Sequence, residues 1–368
     1  MKKVLFITPF FGRNGSEMQL MYILKNLDVN KIQPYLFSRN DGELLKELPY
    51  NFKYFIGYKK HKNFLYRIFR LLLYTVNINP IEFQLKRIHK KVKPDIWYIN
   101  TLANRDAFII AKKLKVKVIS HIHELPLSYN LVKSKSIQNL LSISDLCIGC
   151  SAIVCEKLAD MGHKNVKLLY GFIDDSLIKI KKPQNLIKNE LNIKGDDFVW
   201  IISGRVSVIK GVDYLIPLIK KLKANHKVIW IGDIDDSGTV FYALQSIQNK
   251  FIDRVKFIGK KSDDYYDYFN IGDAFLSLSR EDSYPLVMLE AAHLGKPIVG
   301  FNSGGIKEFV QEGIGYIIDS LNYDELAFKM HEVEVNYNNF NSDFIKEHAR
   351  KVNLHTQSKL LNEYLLHI

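Results

Sequence analysis

The chain has 368 residues, enough for two ordinary domains, and its 47% hydrophobic and 25% charged content is that of a soluble globular protein. No stretch is apolar for long enough to span a bilayer. The net charge of +13 calls for an acidic partner: nucleic acid, anionic lipid or a phosphorylated small molecule.

Residues 3–8 read as a strand. The apolar run at the start is short, breaks at Pro9 and lacks a small-residue cleavage site, so a first strand is expected rather than a signal peptide, in a cytoplasmic protein. A loop with Gly12 and Gly15 follows, then a helix from Ser16 with apolar positions at Met18, Met21, Tyr22, Leu24 and Leu27. Strand, glycine loop and helix open a doubly wound α/β unit. The glycines lack the spacing of the dinucleotide fingerprint. Gly15 either admits a ligand close to the backbone or forms an ordinary tight turn. Residues 32–38 form a second strand.

Residues 59–93 change in texture. Lys59, Lys60, His61 and Lys62 lead into a periodic stretch with Phe64, Ile68, Leu71 and Leu72 on one helical face and Arg67, Arg70 and Tyr74 elsewhere. Lys86, Arg87, Lys90, Lys91 and Lys93 follow. A helix of this kind either packs on the core with a solvated basic rim or lies on an anionic membrane.

Strands are next expected at 96–99, 116–121, 146–149 and 166–169, with helices at 105–114 and 152–161. Cys147 and Cys150 have redox or metal spacing, but Cys147 sits in an apolar strand and no second pair completes a zinc site, so a core role is expected. The Lys- and Asn-rich residues 175–195 are taken as the connection between domains 1–174 and 196–342. A second series of strands follows at 198–203, 228–231, 255–258, 274–278, 297–301 and 315–318. Helices close the chain at 343–366.

The chemically distinctive residues all follow strands: Gly15, His123, Arg205, Lys210, Asp233, Asp282, Gly304 and Gly305. Parallel sheets bind ligands outside the carboxyl ends of their strands, and two such sheets can share a cleft. Arg205 and Lys210, beside Gly211, suit a diphosphate, the alternative being two solvated cations. Asp282 is either a helix cap or, with Glu290, an acceptor for ligand hydroxyls. A ligand carrying both a diphosphate and hydroxyls is a nucleotide sugar.

The block from Asp282 through Glu290, continued by Gly295-Lys296-Pro297 and Ser303-Gly304-Gly305, resembles the signature of retaining glycosyltransferases of family 4. Gly204-Arg205 with Lys210-Gly211 resembles that family's diphosphate loop. Gly15-Ser16-Glu17 and His123-Glu124 resemble its N-terminal motifs. The resemblance implies an α/β fold of GT-B type, with two Rossmann-like domains facing a cleft. The N-terminal half would take the acceptor and the C-terminal half a donor such as a UDP- or GDP-sugar. The terminal helices, 343–368, would be able to cross back to the first domain.

It implies a metal-independent transferase with no cofactor, retaining configuration, that moves a hexose-type sugar to a glycan or lipid-linked acceptor in surface polysaccharide or lipopolysaccharide synthesis. Arg205 and Lys210 would hold the diphosphate, Glu290 the ribose and Asp282 the sugar hydroxyls, with N–H groups near Tyr284, Leu286 and Val287 helping. Gly15 would approach phosphate or acceptor, and His123 would bond the donor sugar. Catalysis would fall to His123, Asp282, Arg205 and Lys210. The family's first acid is usually Glu. Here it is Asp282, with Glu281 just before it, so either Asp282 serves a different sugar, Glu281 reaches in, or activity is reduced. The alternatives are a nucleotide-sugar epimerase and a non-catalytic nucleotide-sugar-binding subunit. No module for nucleic acid is present. Attachment to an anionic membrane surface through residues 59–93 is the remaining expectation.

Overall fold

The computed structural model describes every residue except 58–62, 77, 126–128 and 130–133. Lys59, Lys60, His61 and Lys62 therefore lie outside the described residues. The chain forms two compact units, Met1–Phe172 with Leu354–Ile368, and Ile173–Asn353.

The first unit runs β1 (Lys2–Thr8), α1 (Gly15–Lys25), β2 (Ile32–Ser38), β3 (Tyr54–Ile56), α2 (Phe64–Thr75), α3 (Pro80–Val92), β4 (Ile96–Asn100), α4 (Arg105–Leu114), β5 (Lys117–Ile122), α5 (Ser134–Leu141), β6 (Leu146–Gly149), α6 (Ala152–Asp160) and β7 (Val166–Leu168). The strands form one parallel sheet of order β3-β2-β1-β4-β5-β6-β7. Every residue of β4 is buried, and β1 is buried from Val4 onward. Strands covered on both faces need such continuous apolar runs. The helices start and stop at recognisable signals. The Asn79 side chain caps α3 by accepting from Ile81 and Glu82, with Pro80 in the first turn, and Lys93 ends the helix in a left-handed conformation.

The second unit contains α7 (Gln184–Glu190), β8 (Phe198–Ser203), α8 (Leu215–Ile219), β9 (His226–Ile231), α9 (Gly238–Phe251), β10 (Val255–Phe257), α10 (Tyr265–Asn270), β11 (Ala274–Ser277), α11 (Leu286–His293), β12 (Ile298–Phe301), α12 (Ile306–Phe309), β13 (Gly315–Ile318), α13 (Tyr323–Val335) and α14 (Ser342–Arg350). Its parallel sheet has the order β10-β9-β8-β11-β12-β13. Counted within the unit, this is the doubly wound order 3-2-1-4-5-6. Trp200, Trp230, Leu218, Ile247, Leu276, Val299 and Met330 meet in its core. Burying each such side chain contributes roughly 1.5–3 kcal/mol. The last helix, α15 (Leu354–His367), belongs to the first unit. There Lys2 Nζ donates to the carbonyls of Leu366 and Ile368, and Tyr364 donates to that of Leu168.

The structure bears on three expectations. Residues 175–195, taken from the sequence as the connection between domains, fall in the second unit, which begins at Ile173; there α7 forms and the Asp267 carboxylate accepts from the Lys181 and Lys182 amides. The terminal helices divide, α14 remaining with the second unit and packing on α11. The core-facing reading of α2 fails, because Phe64, Ile68, Leu71 and Leu72 are exposed and only Leu73 of that helix is buried. Cys147 and Cys150 are buried, in keeping with a core role.

Candidate functional site

In each sheet the strand order reverses between two neighbouring strands, β1 and β4 in the first unit, β8 and β11 in the second. Loops leaving the carboxyl ends of such a pair part and open a crevice. The residues singled out from the sequence fall there.

In the second unit the loop after β8 carries Gly204, Arg205, Lys210 and Gly211, and the loop after β11 carries Asp282. Lys210 Nζ and Asp282 Oδ2 form an ion pair between half-buried side chains. Both line a crevice of about 10 Å³ together with Ser203, Ser277, Pro285 and Val287. Glu281 is not among its lining residues. Asp282 does not cap the helix. Pro285 occupies the cap position of α11, while Asp282 bridges to Gly304 through Asp282 N to Ser303 O at 2.7 Å and Gly305 N to Asp282 O at 3.1 Å. The second glycine of that turn is sterically required, since a Cβ on Gly305 would lie 1.7 Å from the Ser283 carbonyl oxygen. Arg205 is exposed, 3.4 Å from Asp235. Tyr284 is buried, and Leu286 and Val287 open the first turn of α11, where backbone N–H groups lack intrahelical partners.

Glu290 sits on α11 and is held by two hydroxyls. Tyr265 donates to Oε2 at 2.7 Å and Tyr266 to Oε1 at 3.1 Å, with Ser203 Oγ 2.8 Å from the Tyr265 hydroxyl. Burial pushes the Glu290 carboxyl up to about 7, against the lowering pull of the two tyrosines. These tyrosines were not legible from sequence. Arg280 was also missed. Its guanidinium bonds both oxygens of Asp213 at 2.9 and 2.7 Å, reaches the Val208 carbonyl and stacks 3.9 Å over Tyr214. It thereby ties the acidic loop to the 204–211 loop.

In the first unit, His123 follows β5. Its Nε2 meets Asn100 Oδ1 at 3.0 Å, and Asn100 Nδ2 donates to the Ser16 carbonyl at 3.3 Å. The amide orientation makes Nε2–H the donor and leaves Nδ1 with its lone pair. Burial drives His123 down to about 3, so the ring is neutral. Glu124 accepts from the Leu102 and His123 amides at 2.8 and 3.0 Å, and burial raises it to about 7. Glu17, at the start of α1, is buried and raised for the same reason. Sequence reasoning missed His121, whose Nδ1 lies 2.6 Å from the Tyr98 hydroxyl and whose ring is 4.1 Å from that of His123. Gly15 opens α1, and a Cβ there would meet nothing within 4 Å. A broader hollow of about 330 Å³, bordered by Lys112, Lys115, Lys117 and Asp145, lies at the amino ends of β5 and β6, away from these residues.

Among the described residues, His226, His331 and Glu334 come within ligating distance of one another. The Trp200 indole N–H donates to His226 Nδ1 at 3.1 Å, so the proton of this neutral imidazole sits on Nε2, 3.1 Å from Glu334. A metal at Nε2 would have to displace that proton, and the group reads as a hydrogen-bonded network.

Residues 183–351 match the family model described as Glycosyl transferases group 1. The chain is 27% identical over 215 residues to N-acetyl-alpha-D-glucosaminyl L-malate synthase of Bacillus anthracis, covering 56% of this chain and 55% of that one. It is 32% identical over 149 residues to the lipopolysaccharide 1,2-N-acetylglucosaminetransferase of Salmonella typhimurium, covering 37% and 39%. The chain thus spans about half the length, or less, of these curated relatives. The structure of Anabaena Alr3699/HepE in complex with UDP-glucose superposes over 100% of both chains with a TM-score of 0.83 at 19% identity, a likeness of fold. The two parallel-sheet Rossmann-like units have the GT-B fold, and the second of them carries the stretch that matches the glycosyl transferases group 1 model.

Proposed function

We propose that the protein is a retaining, metal-independent glycosyltransferase that moves a hexose-type sugar from a nucleoside diphosphate to a glycan or lipid-linked acceptor, in the building of a cell-surface polysaccharide or lipopolysaccharide. The observation that carries this reading is the crevice at the β8/β11 reversal, which brings a cation, Lys210, and a carboxylate, Asp282, from separate loops into one place. A diphosphate selects the first and sugar hydroxyls the second.

In this reading the incoming donor parts the ion pair. Lys210 and Arg205 turn to the diphosphate, and Asp282 accepts from sugar hydroxyls. As the glycosidic bond breaks, negative charge gathers on the leaving diphosphate, and the two cations with the N–H groups at the start of α11 stabilise it. Glu290, steadied by Tyr265 and Tyr266, accepts from the ribose hydroxyls. In the first unit, neutral His123 keeps a lone pair at Nδ1 that can accept from a hydroxyl of a ligand there. Two named likenesses support donor and setting: a solved structure holding UDP-glucose and a relative named for lipopolysaccharide transfer.

The test is a panel of UDP-, GDP- and other nucleotide sugars, read by thermal shift and by slow donor hydrolysis, followed by transfer to acceptors. One nucleoside diphosphate class should stabilise the protein, and Arg205→Ala should lower turnover on the order of 10²-fold. Unchanged turnover in that variant would sink the assignment. Isomerised donor formed without acceptor would identify an epimerase instead.

A further inference from the structure

Helix α2 reverses the ordinary arrangement of an amphipathic helix. At 100° per residue, Phe64, Leu65, Ile68, Leu71 and Leu72 form one stripe at positions i, i+1, i+4, i+7 and i+8. Such a stripe normally faces a core. Here Phe64 is 68% exposed, Leu65 72%, and Leu71 and Leu72 58% each. The helix is anchored from its other side, by Leu73 and by Phe69, whose ring meets Phe83 of α3 edge-on. Contiguous exposed apolar surface of this kind marks a surface that something covers.

The charges around the stripe choose the occupant. Helix α2 carries Arg67 and Arg70 and no acidic residue. The neighbouring α3 exposes Lys86, Arg87, Lys90 and Lys91, and its one acid, Glu82, is held by Lys86 and Lys113 at 2.8 Å each. A second copy would bring like charges together. An apolar layer beneath anionic headgroups satisfies both the stripe and the basic residues. Length fixes the mode of contact. Twelve residues make a helix of about 18 Å, short of a hydrocarbon core of about 30 Å. Among the described residues, no helix is long and apolar enough to cross a membrane.

We propose that α2 is a docking helix for an anionic lipid surface, lying in the plane of one leaflet with Phe64, Leu65, Ile68, Leu71 and Leu72 among the acyl chains and the arginines and lysines of α2 and α3 at the headgroups. The inference does not rest on glycosyl transfer.

The test is flotation of the full chain with vesicles of phosphatidylcholine alone or mixed with phosphatidylglycerol, at low and high salt, with the oligomeric mass measured by light scattering. The protein should float with the phosphatidylglycerol vesicles and be released by salt. The double variant Leu65→Ser/Leu72→Ser should lose partitioning by about tenfold or more with an unchanged circular dichroism spectrum. Lys90→Glu/Lys91→Glu should lose binding to the anionic vesicles. Because these side chains are exposed, the variants should still fold. Equal flotation of wild type and the leucine variant would overturn the proposal. So would absence of flotation, or a dimer that the leucine variant converts to monomer.

Discussion

Lys210 and Asp282 are ion-paired across the point where the second sheet reverses its strand order, one from the loop after β8, the other from the loop after β11. Both side chains line the same crevice, so a nucleotide sugar bound as proposed would compete with the ion pair for the same charges. Removing each partner should therefore have different consequences. If Lys210 holds the diphosphate as proposed, Lys210→Ala should weaken binding of a nucleoside diphosphate about tenfold or more. Asp282→Ala frees Lys210, so binding of the nucleoside diphosphate should hold or tighten while turnover of the nucleotide sugar falls on the order of 10²-fold. Calorimetry with the diphosphate beside donor-turnover kinetics separates the two. If Asp282→Ala left both unchanged, the carboxylate would be structural.

The Tyr265–Glu290 contact makes a prediction about pH. Burial raises the folded-state value of Glu290 to about 7 from an ordinary 4.5. If Glu290 takes the ribose as proposed, the ribose hydroxyls need the ionised carboxylate, so nucleotide affinity should rise by about tenfold between about pH 6 and pH 8, and Glu290→Gln should flatten that dependence. Stability has the opposite sign. Between about 4.5 and 7 the folded chain binds more protons than the unfolded one, so this group's contribution is present below 4.5 and is lost as pH rises through 7. Thermal melts should show Glu290→Gln at least as stable as wild type above pH 7. Tyr265→Phe/Tyr266→Phe removes two hydrogen bonds that pull the value down and should shift the affinity profile to higher pH.

Arg280 should matter for folding without touching a ligand. It gives two bonds to Asp213 and one to the Val208 carbonyl, and it stacks on Tyr214. Arg280→Ala should cost about 2 kcal/mol in denaturant unfolding. Arg280→Lys should recover little, because an ammonium cannot reproduce the planar fork or the stacking.

What the sequence disclosed depended on distance along the chain. The acidic block and its glycine turn were legible because Asp282, Glu290, Gly304 and Gly305 are close in sequence, with Asp282 in the loop after β11, Glu290 on the helix that follows, and the two glycines in the loop after β12. The Tyr265 and Tyr266 contacts with Glu290 span 25 and 24 residues, and the Arg280–Asp213 pair spans 67, so no local pattern links them. Helix α2 shows a different limit. Periodicity locates an apolar stripe but does not say whether the stripe faces the core or the solvent, and here the usual assumption fails. The stretch 175–195 shows how little marks a short helix: its composition is Lys- and Asn-rich, and the only buried residue of α7 is Ile187.

Two glycines allow function to be separated from folding. Gly305 has an ordinary φ of −65°, yet a Cβ there would lie 1.7 Å from backbone oxygen, which cannot yield as a side chain would. Gly305→Ala should therefore destabilise the protein by about 3 kcal/mol and disturb the Asp282–Gly304 bridge. Gly15 is the contrary case. It opens α1, and a Cβ there meets nothing within 4 Å. Gly15→Ala should leave the melting temperature unchanged or raise it by the equivalent of about 0.5 kcal/mol, since alanine is less free in the unfolded chain. If a ligand comes against the backbone at this point, transfer should fall about tenfold in Gly15→Ala with folding intact, and Gly15→Val should lose more. Equal activity in all three proteins would show that the loop before α1 is a turn and that no substrate approaches it.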